Sequence, residues 1–194
     1  MSERTCACIY RCGALKSVVA LGAGFCDGLD FGGNTKAAIL RIGLKEMQRF
    51  CEVFYGQRGI IQSTFLESCG VADLVTTCFG GRNRKCAEIF ARNALKAQAD
   101  GTPQKDWAVI EAEELNGQTL QGIGMCQDVM KALKAKGVQA DFPLFVQIHR
   151  IAFLSASPSS LIEITPSTAA DYPSKEGPPT TLPTRSMRTF PLAK

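Results

Sequence analysis

Lys16 sits between Leu15 and the pair Val18-Val19, an apolar setting that suits a lysine to proton transfer. The ordinary alternative is a lysine at a helix end that snorkels its ammonium group to water. Asp73 lies among Val71, Ala72, Leu74 and Val75, where a carboxylate needs a cation or hydrogen-bond donors. Lys16 is a reasonable partner for it. Thr77, four residues on, could add a hydroxyl to the same site or bond its own helix backbone. The chain continues with Gly80-Gly81 and the basic run Arg82-Asn83-Arg84-Lys85. A glycine pair lets the backbone come close to a ligand. An arginine and an amide at a helix start suit a phosphate, because the guanidinium grips two oxygens and the helix end presents free N–H groups. The plainer alternative is a turn followed by a solvated basic helix end.

Helices must position these residues. Residues 14–34 read as an apolar helix that ends in a glycine-rich loop. Gly22, Gly24 and Gly28 come close to a dinucleotide-binding fingerprint. Gly32 and Gly33 follow too soon for the helix such a loop must open, and no strand with an acidic end comes after. The spacing predicts close helix packing through small residues instead. Asn34 is the expected N-cap of a helix reaching Gly56, with Ile42, Met47, Cys51 and Phe54 on its apolar face. Thr64 and Glu67 are spaced as a capping box before the central stretch. Further helices are expected over about 83–98, 107–115, 124–136 and 142–154, with a loop at 99–106 and a turn at Asn116-Gly117. His149, the sole histidine, reads as a packed or surface residue rather than a ligand. Residues 1–12 show no period and are expected to be unstructured. Residues 155–194 hold seven of the nine prolines and are expected to form a disordered tail. The folded part, about 13–154, is expected to be all-α.

A chain of 194 residues, 45% hydrophobic and 21% charged, can bury one substantial core. Its net charge of +4 is too weak and scattered to argue for nucleic acid. No apolar run reaches the length of a membrane span, so no membrane partner is expected. The only cysteine cluster, Cys6, Cys8 and Cys12, lacks paired spacing and a nearby histidine, so no metal site is expected. With nine cysteines in mostly apolar surroundings, a reducing compartment, the cytoplasm, is the simpler inference.

Three blocks carry a resemblance: GALKSVVALGAGFCDGLDFGGNTKAAILRIGL, TFLESCGVADLVTTCFGGRNRK and LNGQTLQG. In this order they closely resemble the C-terminal substrate domain of NAD-dependent glycerol-3-phosphate dehydrogenase of the eukaryotic type. The resemblance spans about Cys12 to Phe153 and is weaker at FPLF, residues 142–145. It implies a multi-helix dehydrogenase C-terminal domain. The implied enzyme is an oxidoreductase that interconverts dihydroxyacetone phosphate and sn-glycerol 3-phosphate with NADH and NAD. Lys16 matches the catalytic lysine, and Asp73 and Thr77 match residues that hold it and the substrate oxygens. Arg82 and Asn83 match the pair on the substrate phosphate, with Arg82 also near the cofactor. Gln121 matches a cofactor-contacting position, and Thr119 stands near the cofactor where a lysine is common. Ser17 stands where the family usually has asparagine.

The family's N-terminal Rossmann domain has no counterpart here. The expectation is therefore a truncated copy, inactive unless a cofactor domain is supplied elsewhere. Its expected partners are the phosphate substrate, a second copy in a homodimer or a complementing Rossmann domain. The face formed by Ser17 to Phe25 is expected to be exposed and apolar where that domain would dock. The alternative is a non-catalytic helical interaction or dimerisation module derived from the enzyme.

Overall fold

The computed structural model describes residues 3–56 and 62–164, with side chains from residue 13 onward. Among the described residues the regular structure is all helical. The long helices are α1 (Glu3–Gly28), α2 (Gly33–Tyr55), α3 (Asp73–Gly80) and α4 (Arg82–Asp100), then α5 (Trp107–Leu115), α6 (Gln121–Lys136) and α7 (Pro143–Phe153). Short 3-10 and π turns fill Gln62–Leu66, Ser68–Ala72, Gln139–Asp141 and Pro158–Glu163.

Helix α1 is the axis of the domain, packed by α2, α3, α4, α6 and α7. Its run Val18 to Cys26 is apolar or glycine at every position, with no polar face to keep in water, and such a helix must be enclosed. Val18, Val19, Ala20, Leu21, Ala23 and Phe25 are completely buried. This corrects the expectation of an exposed docking face over Ser17 to Phe25. Those residues are the centre of the core, and the neighbouring helices of the same chain cover them.

The glycines of α1 set the distance to α4. A Cβ on Gly24 would stand 2.2 Å from the Arg84 carbonyl oxygen, and one on Gly28 would stand 2.6 Å from that of Glu88. Both obstacles are backbone and cannot swing away. The near-fingerprint of glycines is thus a helix-crossing surface, as its spacing predicts. Gly24→Ala is expected to destabilise the domain by at least the ~1–3 kcal/mol typical of overpacking, read as a lower thermal midpoint. Gly13→Ala, where nothing lies within 4 Å, is the control.

The second half of the domain hangs on two anchors. Trp107 stacks on Phe90 with ring centroids 4.1 Å apart, and its Nε1–H donates to the Ala152 carbonyl oxygen at 2.9 Å. This ties α5 to α4 and to the end of α7. Glu46 of α2 is wholly buried and caps α7: its carboxylate accepts the N–H groups of Leu144 at 2.7 Å and Phe145 at 2.9 Å. Burial pushes the Glu46 carboxyl up to about 8, while the two N–H bonds pull it back. The folded state therefore binds this proton more tightly than the unfolded chain. Stability is expected to fall as pH rises from about 4.5 to about 8, with a slope of up to about 1.4 kcal/mol per pH unit. Chemical denaturation at stepped pH measures it, and Glu46→Gln should flatten that part of the profile.

Several boundaries differ from the sequence reading. Helix α1 begins at Glu3, so the backbone over 3–12 is helical rather than unstructured. The extension simply continues a helix already nucleated by the buried run after Leu15. Helix α2 is capped by Gly32, not Asn34, because the extended Gly32 lets the helix start at once. No side-chain cap forms at Thr64 or Glu67. Thr64 is buried in the 3-10 turn, and its carbonyl oxygen takes the Glu67 N–H at 3.3 Å instead. Beyond Leu154 the chain still packs: Pro158 and Leu161 are buried, and Gln147 bonds the Ser160 hydroxyl. Two apolar contacts in a proline- and serine-rich stretch leave little compositional trace. The rest of the expected tail, 165–194, and the side chains of Cys6, Cys8 and Cys12 lie outside the described residues.

Cys26, Cys78, Cys86 and Cys126 are buried and pack as small hydrophobes, whereas the half-buried Cys69 donates its thiol to the Thr64 carbonyl oxygen at 3.7 Å. Burial pushes the thiols of Cys78 and Cys126 up to about 12 and that of Cys26 up to about 11. His149 rests against Phe153, and burial together with Lys134 holds its imidazole below the usual range.

Candidate active site

Lys16 leaves α1 between the buried residues Leu15 and Ser17. Its neighbours are fixed in the core, so its stem has one way out, toward the start of α3. There its Nζ meets Asp73 Oδ2 at 2.5 Å, with the two side chains 23% and 38% exposed. Asp73 follows directly on the π turn Ser68–Ala72, its N–H already bonded to the Ser68 and Gly70 carbonyl oxygens, so Lys16 is the group that balances its carboxylate. The pair is partly open to solvent, so a ligand can reach it. Thr77 lies one turn further along α3. Its hydroxyl donates to the Asp73 carbonyl oxygen at 2.7 Å, the backbone bond that the sequence left open as an alternative.

Helix α3 ends at the glycine pair, and Gly81 makes the corner into α4. Its N–H donates to the Thr77 carbonyl oxygen at 3.0 Å. A Cβ there would stand 2.4 Å from the same oxygen, so the corner admits only glycine without moving apart. Arg82 and Asn83 are thereby the first two residues of α4.

Helix α6 brings a second N-terminus to the same place. Asn83 Oδ1 accepts the Gly122 N–H at 3.0 Å. A Cβ on Gly122 would stand 2.7 Å from Asn83 Oδ1 and 3.0 Å from the Ser17 carbonyl oxygen. Gly122 is therefore the point where α1, α4 and α6 converge, one residue from Lys16. The loop between α5 and α6 turns through Asn116 and Gly117 in left-handed conformation. Glu111 pins its end by accepting the Leu120 N–H at 2.9 Å. The loop then offers Gln118, whose Oε1 accepts from Arg82 Nη1 at 2.7 Å. Arg82, Asn83, Leu115, Thr119, Leu120 and Gln121 line a pocket between the two helix starts.

Every site residue read from the sequence is thus placed in one of two linked groups. Lys16, Asp73 and Thr77 form the first; Arg82, Asn83, Thr119 and Gln121 form the second. Gln118, Glu111 and Gly122 were not singled out. Asn116-Gly117 was legible as a turn, but which side chain it presents depends on the tertiary register of α5 against α6.

Chemically, the first group offers an ammonium proton held by a carboxylate. The second offers a guanidinium with unused donors, the amide of Asn83 and two helix N-termini, which suit a small anion. Among the described residues, no three His, Cys, Asp or Glu side chains gather as a metal site. No helix among them is long and apolar enough to cross a membrane.

The family profile described as "NAD-dependent glycerol-3-phosphate dehydrogenase C-terminus" matches residues 7–163. The chain is 51% identical over 152 residues to "Glycerol-3-phosphate dehydrogenase [NAD(+)], cytoplasmic" of Drosophila melanogaster, covering 78% of this chain and 39% of that protein. It is also 51% identical over 142 residues to the human protein of the same name, covering 73% of this chain and 38% of that one. Among solved structures it is similar to glycerol-3-phosphate dehydrogenase from Saccharomyces cerevisiae. There the TM-score is 0.72 at 41% identity, over 84% of this chain and 42% of the other. The structure of DsGPDH of Dunaliella salina gives a TM-score of 0.75 at 40% identity, over 84% of this chain and 26% of that one. The chain spans about two fifths of the length of the curated relatives it matches.

Proposed function

Because the chain belongs to the NAD-dependent glycerol-3-phosphate dehydrogenase C-terminus family, we propose that it carries the substrate-binding and proton-transfer half of such an enzyme. The substrates are dihydroxyacetone phosphate and sn-glycerol 3-phosphate. The observation that carries this reading is the Lys16–Asp73 pair at 2.5 Å, one residue along α1 from the Ser17–Gly122–Asn83 convergence. The lysine that carries the ammonium donor thus sits one residue from the point where the starts of α4 and α6 meet, and a phosphorylated ketone calls for both a proton donor and an anion site.

In this reading Arg82 and Asn83 Nδ2 hold the phosphate, and Lys16 faces the carbonyl. Lys16 Nζ–H gives its proton to the carbonyl oxygen as the carbon is reduced, and the amine takes the hydroxyl proton back in the oxidation direction. Asp73 fixes the ammonium group through both steps. Thr77, bonded to the Asp73 carbonyl, stiffens the first turn of α3 beneath it.

NADH is the hydride source of the reaction. Arg82, Thr119 and Gln121 stand at the pocket where they can touch it. They do not amount to a pyrophosphate cradle, and Gly24 and Gly28 are filled by the α4 backbone. The cofactor is therefore held by a separate Rossmann domain. Leu66, Phe79 and Val75, exposed by 69%, 61% and 40% around Asp73, are the apolar side chains that such a domain or a second copy would cover. The same face supports the second reading, a helical interaction or dimerisation module. A cytoplasmic location follows that of the Drosophila melanogaster relative, which its name gives as cytoplasmic.

Titration of the chain with glycerol 3-phosphate, followed on its backbone amide resonances, tests the reading. Shifts are expected at Arg82, Asn83 and Gly122, and glycerol at equal concentration should leave them unmoved. Equal shifts with glycerol, or none with either, would leave the interaction module as the better reading.

A further inference from the structure

The residues that grip the proposed phosphate sit on a corner with two glycines and no side chain of its own to brace it. Behind that corner is a set of charges that the proposed chemistry does not use. Lys36 of α2 is only 10% exposed in its side chain, and its Nζ donates to Asp27 Oδ2 at 2.7 Å. The same ammonium lies 4.3 Å from the centroid of the Phe79 ring. Phe79 is the last side chain of α3 before Gly80-Gly81. Arg84, the residue after Asn83, reaches Asp27 Oδ2 at 3.4 Å from the other side. Both of its Nη atoms also bond Glu88 Oε2, at 2.9 and 2.7 Å.

The geometry points to Lys36 and Asp27 as positioning residues for Arg82 and Asn83: one carboxylate at the end of α1 ties both arms of the α3–α4 corner. Lys36 restrains the incoming arm through the Phe79 ring, and Arg84 restrains the outgoing arm directly. Arg92 also bonds Glu88 and reaches Asp30, so three cations face three carboxylates and the cluster has no spare charge to offer a ligand. What it supplies is geometry. Removing one partner of such a shielded pair leaves the others uncompensated, and the corner must shift to let them reach water. A grip on a planar or tetrahedral anion tolerates little of this, because support from the surrounding layer decides whether donors stay aligned. This inference rests on the reading of Arg82 and Asn83 as phosphate ligands.

The test uses the chain as it is, with inorganic phosphate as probe and amide hydrogen exchange as a second readout. Lys36→Met and Asp27→Asn are each expected to weaken phosphate binding about tenfold. Both should speed exchange at residues 81–85 relative to α7, and Lys36→Arg should stay within about twofold of the parent. Asp27→Asn is decisive. If the cluster acted only through its field, losing a negative charge near a cationic site would tighten phosphate; loss of the brace weakens it. Tighter binding by Asp27→Asn, or parent-like exchange at the corner in both variants, would overturn the proposal. Should Lys36→Met fail to fold, the nearly isosteric Asp27→Asn carries the test. Should the parent not bind phosphate, the ligand reading falls, and the exchange comparison still decides the brace.

Discussion

Lys16→Ala is expected to lower kcat by about 10²–10⁴-fold in a chain joined to the N-terminal part of a relative, the range general acid–base catalysis supplies. Reduction of a ketone leaves charge on oxygen unless a proton arrives, and Lys16 is the ammonium group placed at the first residue group of the site, bonded to Asp73 at 2.5 Å. The phosphate is gripped elsewhere, by Arg82 and Asn83, so KM should move far less than kcat. Asp73→Asn should fall between the parent and Lys16→Ala, because it keeps the shape but loses the charge that fixes the ammonium. Steady-state kinetics in both directions separate these cases. A Lys16→Ala enzyme within about threefold of the parent, well short of that range, would remove Lys16 from the chemistry.

Arg82→Ala is expected to lower kcat/KM by about 10²–10³-fold, the loss that follows removal of a preorganised donor to developing or fixed negative charge. Arg82 is exposed and spends Nη1 on Gln118 Oε1, which leaves most of its donors for an anion. Arg82→Lys restores charge without the planar fork and should leave a deficit of about 1–3 kcal/mol. The loss should be larger on phosphorylated substrate: with dihydroxyacetone, which has no phosphate, Arg82→Ala should lose only what its cofactor contact contributes. Equal losses on both substrates would mean that Arg82 shapes the pocket rather than gripping the phosphate.

The sequence foreshadowed these residues unevenly. Charges in apolar surroundings must find partners, and that alone suggested Lys16 with Asp73, the contact found at 2.5 Å. Glycines at a four-residue spacing inside an apolar run signalled helix packing, and Gly24 and Gly28 meet α4 backbone. The helices from Trp107 to Leu115 and up to Gly137 were legible from caps and turns. Burial across the whole of Ser17 to Phe25 was not, because it depends on five other helices closing over α1. Nor was the bond from Gly122 to Asn83, which joins residues 39 apart in the chain. Nothing in the sequence singled out Glu46, Lys36 or Asp27, because their partners come from other helices. Thr77 kept two options in the sequence, and the helix backbone takes the hydroxyl.

The most direct test of the account joins the N-terminal part of the Drosophila melanogaster relative to this chain and measures NADH oxidation with dihydroxyacetone phosphate, beside the chain alone. The account predicts turnover by the joined protein, abolished by Lys16→Ala, and none by the chain alone, because hydride transfer needs the nicotinamide held about 3–3.5 Å from the carbonyl. Turnover by the chain alone, or a folded joined protein that binds both substrates and does not turn over, would contradict it.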